Sequence, residues 1–397
     1  MHKEARQAYN ESFSEEKYKA FLQSIERDYP GELDFRLAET PVFVPSSLKK
    51  NLMEACEEII ATITSDDFKT KTERAIPADQ NVPGENEHSS FLAIDFAVCK
   101  DENGQLIPQL IELQGFASLY AYQGYLSEKF KENFPVPDNF RYTFGADSFD
   151  SYVEKLKELI LGDEDPENVI LLEIFPEKQK TRIDFALTDK LLGVRAVCYT
   201  KLIKEGRKLF YEKDGRKIQV KRIYNRLIFD DLQNYPDLKT SYHFTDDVEV
   251  TWVGHPNWFF RISKFTLPFL ESKYIPETKF VSDYAGDFPS DLENYVLKPL
   301  FSFAGAGVQL HVTREILTNI GDPANCILQK KVIYEPVIQA PDGLVKCEIR
   351  MMYSWPDHAS KPELITSLSR LSRGEMIGVR FNKDFTWVGG TACFFED

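Results

Sequence analysis

Apolar and polar residues alternate with different periods along the chain. Up to about residue 75 the period is helical: AYNESFSEEKYKAFLQSIERDY and SSLKKNLMEACEEIIATIT each place apolar residues one turn apart, with Ser46 or Ser47 as a cap. AIPADQNVPGENEHSS, rich in Pro, Gly and Asn, predicts a loop. FLAIDFAVCK and QLIPQLIELQG then flank the turn sequence DENG and predict a hairpin, with a helix over about 116–131 and a boundary at NFPVPDNFRYTFG. From about 150 a helix (SYVEKLKELILG), a buried strand (NVILLEIF), a helix ending at Gly193 and a strand (VRAVCYT) follow one another. An Asp-Gly hairpin and the strand KRIYNRL complete an open α/β unit. From about 256 the pattern predicts a helix (ISKFTLPFLESK), a strand (NYVLKPL), a glycine loop, a strand (VQLHV), a strand (CILQKKV) and the hairpin EPVIQAPDGLVKCEIRMMYSW. The expected organisation is 1–140, helices plus the first hairpin; 141–255, a Rossmann-like unit; and 256–397, a second α/β (α+β) unit.

Composition narrows the classes. At 397 residues and 43% hydrophobic, with 30 Phe and 18 Tyr, the chain has ample core. A net charge of −15 lacks the basic surface expected of a nucleic-acid binder. Six scattered cysteines with no C-x-x-C pair argue against a zinc site or a disulfide framework and predict reduced thiols in the cytoplasm. The first residues carry no secretory signal, and no run is apolar enough to span a membrane.

The first hairpin carries chemistry through its register. Closed on a two-residue Asn103-Gly104 turn, it sets Asp95 opposite Glu112 and Ala93 opposite Gln114, leaving Ile94, Phe96, Ile111 and Leu113 for the core. Facing carboxylates repel, so this face either holds a cation, with Asp95, Glu112 and Gln114 as a magnesium platform, or splays two acids into water. In YVLKPLFSFAGAGVQLHV, Lys298 precedes Ser302, Gly305 and Gly307. This is neither a Walker loop nor a dinucleotide fingerprint; it reads as a glycine hairpin able to cover phosphates, or as an ordinary turn. CILQKKVIYEP can offer its backbone to an adenine edge around Gln329 and Lys331, with Glu335 for a ribose. VKCEIRMMY puts Lys346, Glu348, Arg350 and Met352 on one strand face, either as a phosphate site led by Arg350 or as a cross-strand ion-pair ladder.

In this order the pieces resemble the ATP-grasp superfamily: ISKFTLPFLESKYIPETKFV its lysine-and-helix lead-in, YVLKPLFSFAGAGV its lysine strand and glycine loop, ILQKKVIYEP its hinge and VKCEIRMMY its central strand. The early D-F…E-L-Q pair is similar to glutathionylspermidine synthase and the permuted glutathione synthetases, whose first hairpin reads R-x-D-F…E-x-N. The resemblance implies a circularly permuted ATP-grasp fold behind a Rossmann-like unit. It implies magnesium on Asp95 and Glu112, ATP on Lys264 and Lys298 under Gly305 and Gly307, and adenosine near Gln329, Lys331 and Glu335. The implied reaction joins a small-molecule carboxylate to an amine through an acyl-phosphate, with Lys298 and Arg350 offsetting charge. Two departures stand out: Ala93 replaces the family arginine and Gln114 the asparagine. They leave a nucleotide-binding protein without catalysis, or a phosphotransferase, as alternatives.

Overall fold

The computed structural model describes residues 1–300, 307–374, 377 and 382–397. Its centre is an antiparallel sheet in which Gly389–Thr391, Glu363–Ser372, Gly343–Ser354, Phe91–Lys100 and Leu106–Gln114 lie side by side, and Pro336–Ala340 pairs with the start of Gly343–Ser354. The hairpin expected in 1–140 and the strands expected in 256–397 are therefore joined by main-chain hydrogen bonds in one sheet.

Alternation decides the two faces of this sheet. Ile94, Phe96, Val98, Ile349 and Met351 point to the back, where Leu52 and Ile59 of the helix Ser46–Ile63 and Phe43 join them in the main core. The helices Lys3–Ser12 and Glu15–Asp28 extend that core through Tyr9, Phe21 and Ile25. The front face carries the charges described below. Val42–Val44 pairs in parallel with Cys393–Glu396, so the two ends of the chain meet.

A second sheet is wholly parallel, in the order Arg195–Cys198, Val169–Glu173, Arg222–Asn225, Thr251–Val253. Both faces are apolar, as a covered parallel sheet requires. Val169 and Leu171 pack on Tyr152 and Leu156 of the helix Phe149–Leu161, while Ile170 and Leu172 pack on Tyr242 and Trp252. Chain order reverses at Val169–Glu173: its successor lies on one side and the next strand on the other. This is the point where open parallel sheets form a crevice at their carboxyl ends. The Asp-Gly hairpin forms as expected, with Asp214 and Gly215 both at positive φ. A third, antiparallel sheet sets Cys326–Lys330 between Thr278–Phe280 and Tyr295–Pro299.

Three expectations change. The helix read over ISKFTLPFLESK is replaced by a tighter turn, Lys264–Phe269, with Pro268 inside it, and a short helix, Pro256–Arg261, precedes the segment; the proline lacks the N–H a longer helix needs. VQLHV forms no strand beyond one bridge between Gln309 and Leu297. The first hairpin turns through a longer loop, in which Gly104 N–H returns to Asp101 O and Lys100 faces Leu106. A bulge at Ile111 then restores the register that sets Asp95 against Glu112. Ile111, expected in the core, is half-buried on the front side.

Gly115 ends this hairpin where two segments touch. Its N–H donates to Ile262 O at 2.9 Å, and a Cβ there would lie 2.5 Å from Trp258 O. Gly115→Ala is expected to destabilise the protein by roughly 1–3 kcal/mol through overpacking. Thermal denaturation checks this, and an unchanged midpoint would show that the contact does not limit packing.

Candidate functional site

The front face of the central sheet, the third sheet and the carboxyl ends of the parallel strands surround one cleft of about 1850 Å³. Its sheet wall is built by register. Asp95 lies opposite Glu112 on one side and Arg350 on the other, and one step along, Glu348 lies opposite Arg370. The Arg350 guanidinium grips Asp95 with both forks: Nε donates to Oδ1 and Nη2 to Oδ2, each at 2.6 Å. Arg370 Nη2 donates to Asp95 Oδ2 at 2.7 Å and also to Glu348 Oε1. Glu348 Oε2 accepts from the Tyr334 hydroxyl at 3.0 Å, and Glu112 Oε1 from Gln114 Nε2 at 3.0 Å. Burial opposes ionisation of Asp95, but Arg350 and Arg370 beside it outweigh burial and hold its carboxyl below the usual range. Burial raises Glu348, with Arg370 offsetting only part of the effect.

The facing wall is lysine-lined. Lys298 Nζ donates to Gln329 Oε1 at 2.6 Å and to Ile111 O, the carbonyl of the bulge, at 3.3 Å. Its side chain is half-buried, and the protein packed around the ammonium pushes its pKa down to about 8; Glu112 opposes this and Lys264 adds to it. Lys264 reaches Pro299 O at 3.2 Å and is lowered by burial as well, with Glu112 and Asp230 pulling the other way. Gln329 is 2% exposed, and its Nε2 is buried with no protein partner.

The third wall is the strand-end crevice. Glu173 ends Val169–Glu173 and is 4% exposed; burial pushes its carboxyl up to about 8, while the N–H of Ile174 and Arg226 offset part of that. Arg226 is committed to the buried Asp184 at 2.6 Å. Burial also raises Asp230 and Asp231.

Most residues expected at the site do converge: Glu112, Gln114, Lys264, Lys298, Gln329, Lys331 and Arg350 all line the cleft. Asp95 stands behind them, 1% exposed and fully engaged. Glu335 does not line the cleft; it pairs with Lys100 at 2.5 Å on the far part of the hairpin. Gly307 takes a left-handed φ of 70° beside Pro299, whereas Ser302 and Gly305 lie outside the described residues. Lys331 Nζ donates to Glu293 O at 2.6 Å. Arg370, Tyr334 and Glu173 were not anticipated. Arg370 meets Asp95 from 275 residues away, and only the terminal position of Glu173 on a buried strand could have signalled that residue.

The residues fit an anion at the lysine wall, where two ammoniums and an orphaned amide N–H converge. They do not fit the magnesium platform expected of Asp95, Glu112 and Gln114. The charge between the carboxylates is a guanidinium, and among the described residues no group of three or more Asp, Glu, His or Cys is placed to hold a metal. The charged row on Gly343–Ser354 is thus the ion-pair ladder rather than an open phosphate site.

No protein-family model matches the sequence, and a search of curated proteins finds no match. Among solved structures, the chain is similar to a glutathione synthetase-like effector from Globodera pallida in its apo form. The TM-score is 0.61 at 10% identity, over 96% of each chain. The likeness establishes a glutathione synthetase-like, mixed α/β fold. Among the described residues no helix is long and apolar enough to cross a membrane.

Because the Asp95 charge is buried, removing one of its partners leaves an uncompensated ion. Arg350→Leu is expected to destabilise the protein by roughly 3–5 kcal/mol. Urea unfolding checks this, and a change below about 1 kcal/mol would mean that Arg370 alone suffices.

Proposed function

We propose that the cleft binds ATP in an ATP-grasp-type arrangement, circularly permuted, and serves the ATP-dependent joining of a carboxylate to an amine. The observation that carries this reading is the meeting of Lys264 and Lys298 from separate elements, with the unpartnered Nε2 of Gln329 beside them. Burial lowers the pKa of both partly buried ammoniums, and a polyphosphate beside them favours their charged form. Gln329 and Lys331 on the strand Cys326–Lys330 and just beyond it offer amide and backbone groups to a purine. Permutation is supported by the place of Phe91–Lys100, which precedes Gly343–Ser354 by far in sequence yet pairs with it at the centre of the sheet.

In this reading the chain holds and orients the reactants and excludes water; it supplies no nucleophile. Lys298 and Lys264 neutralise the transferred phosphoryl group, and Arg350 acts from the sheet wall through the network it forms with Asp95. The acceptor enters at the strand-end crevice by Glu173 and Asp230, where under-neutralised carboxyls favour a positively charged amine. A second reading, nucleotide binding without turnover, is favoured by one observation: both oxygens of Asp95 are taken up by guanidinium groups.

Calorimetry with ATP is expected to show binding that weakens at least about tenfold in Lys298→Ala. The lysine is charged below a pKa of about 8 and neutral above it, so affinity is expected to fall as the pH rises through that value. Lys298→Arg, which stays charged, is expected to flatten the fall. Release of ADP with a pool of acids and amines supports ligation; binding without release supports the second reading; no binding by the wild type removes both.

A further inference from the structure

The sheet wall carries its own answer to a charge problem. Asp95, Glu112 and Glu348 share one face within neighbouring strands, and such a cluster ordinarily calls for a cation. The chain provides two. Arg350 meets Asp95 as a bidentate fork at 2.6 Å on each oxygen, and Arg370 adds a third bond at 2.7 Å. A carboxylate offers about four lone-pair sites, and three on Asp95 are filled by cationic donors. Magnesium demands near-ideal octahedral geometry at about 2.0–2.1 Å from its oxygens, so its approach to Asp95 would require a guanidinium to leave. The remaining acids are engaged as well: Glu348 by Tyr334 and Arg370, Glu112 by Gln114 at 3.0 Å with Arg350 Nη2 at 3.9 Å. The Arg370 side chain is 36% exposed and lines the cleft, so this fixed positive charge faces the ligand space.

Resting on the nucleotide reading above, we propose that the Arg350–Arg370 pair, braced by Asp95, takes the place of a divalent cation in this cleft, so that a nucleoside triphosphate binds as its metal-free anion. Asp95 is then a positioning residue: it holds two guanidiniums side by side and touches neither metal nor ligand. The lysine wall meets the polyphosphate from one side and the guanidinium pair from the other. Magnesium adds nothing to this binding and competes with it by drawing the nucleotide into a less negative complex.

The test titrates the full chain with ATP in EDTA and again in excess magnesium, and separately with manganese chloride alone. The expected result is an affinity in EDTA equal to or tighter than that in magnesium, within about threefold. Manganese alone is expected to show no stoichiometric site. Asp95→Asn, checked for folding by circular dichroism, releases the brace and is expected to weaken ATP binding in EDTA by at least about threefold. An affinity at least about tenfold weaker in EDTA would overturn the proposal while leaving the nucleotide reading intact. So would manganese binding in the wild type that Asp95→Asn abolishes, and this arm decides the question without nucleotide and without depending on the ATP result. Absence of ATP binding in both buffers removes the nucleotide reading itself, and this inference with it.

Discussion

A carboxylate withdrawn from water keeps its charge only where cations hold it, and Asp95 is 1% exposed on an inner strand of the central sheet. The guanidiniums that hold it stand on two further strands, Gly343–Ser354 and Glu363–Ser372. One ionic knot therefore ties together segments more than half the chain apart. A slip of one residue in any of these strands would turn the knot into the apolar back and bring Ile94 or Ile349 into the cleft. The same alternation that gathers the charges in front gives the helix Ser46–Ile63 its apolar surface behind.

The knot also divides labour around the cleft. On the sheet wall, acids and bases hold one another within hydrogen-bonding distance, and Arg370 reaches the cleft. On the lysine wall, burial lowers the pKa of two ammoniums, with Glu112 pulling the other way. At the strand ends, burial leaves Glu173, Asp230 and Asp231 reluctant to ionise. An anion is favoured at the lysines, and a cation at the strand ends, by the same electrostatic rule. Fixed charges of this kind need little rearrangement when a ligand arrives, and that is the condition under which they act most strongly.

Much of the architecture was legible in local pattern: the first helices, the parallel unit with its Asp-Gly hairpin, and the pairing of Asp95 with Glu112. That pairing was reached by a different route, since a longer turn and a bulge at Ile111 cancel each other. Periodicity gave no warning that Pro268 would break a helix, or that VQLHV would pair through a single bridge. The misreading of the carboxylate face has a clear physical cause. Facing acids imply a cation, but local sequence does not say whether that cation is a metal ion or an arginine brought in from 255 or 275 residues away. Glu173 stayed hidden for a similar reason: its environment is made by Arg226 and Asp231, which local pattern does not place beside it.

If the lysine wall binds a nucleotide, a crystal structure with a non-hydrolysable ATP analogue will place the triphosphate within hydrogen-bonding reach of Lys264 and Lys298, with the purine against Gln329 and Lys331 and the Asp95 knot undisturbed. An analogue bound elsewhere, or phosphates held by a metal on Asp95 with Arg350 displaced, would contradict that reading.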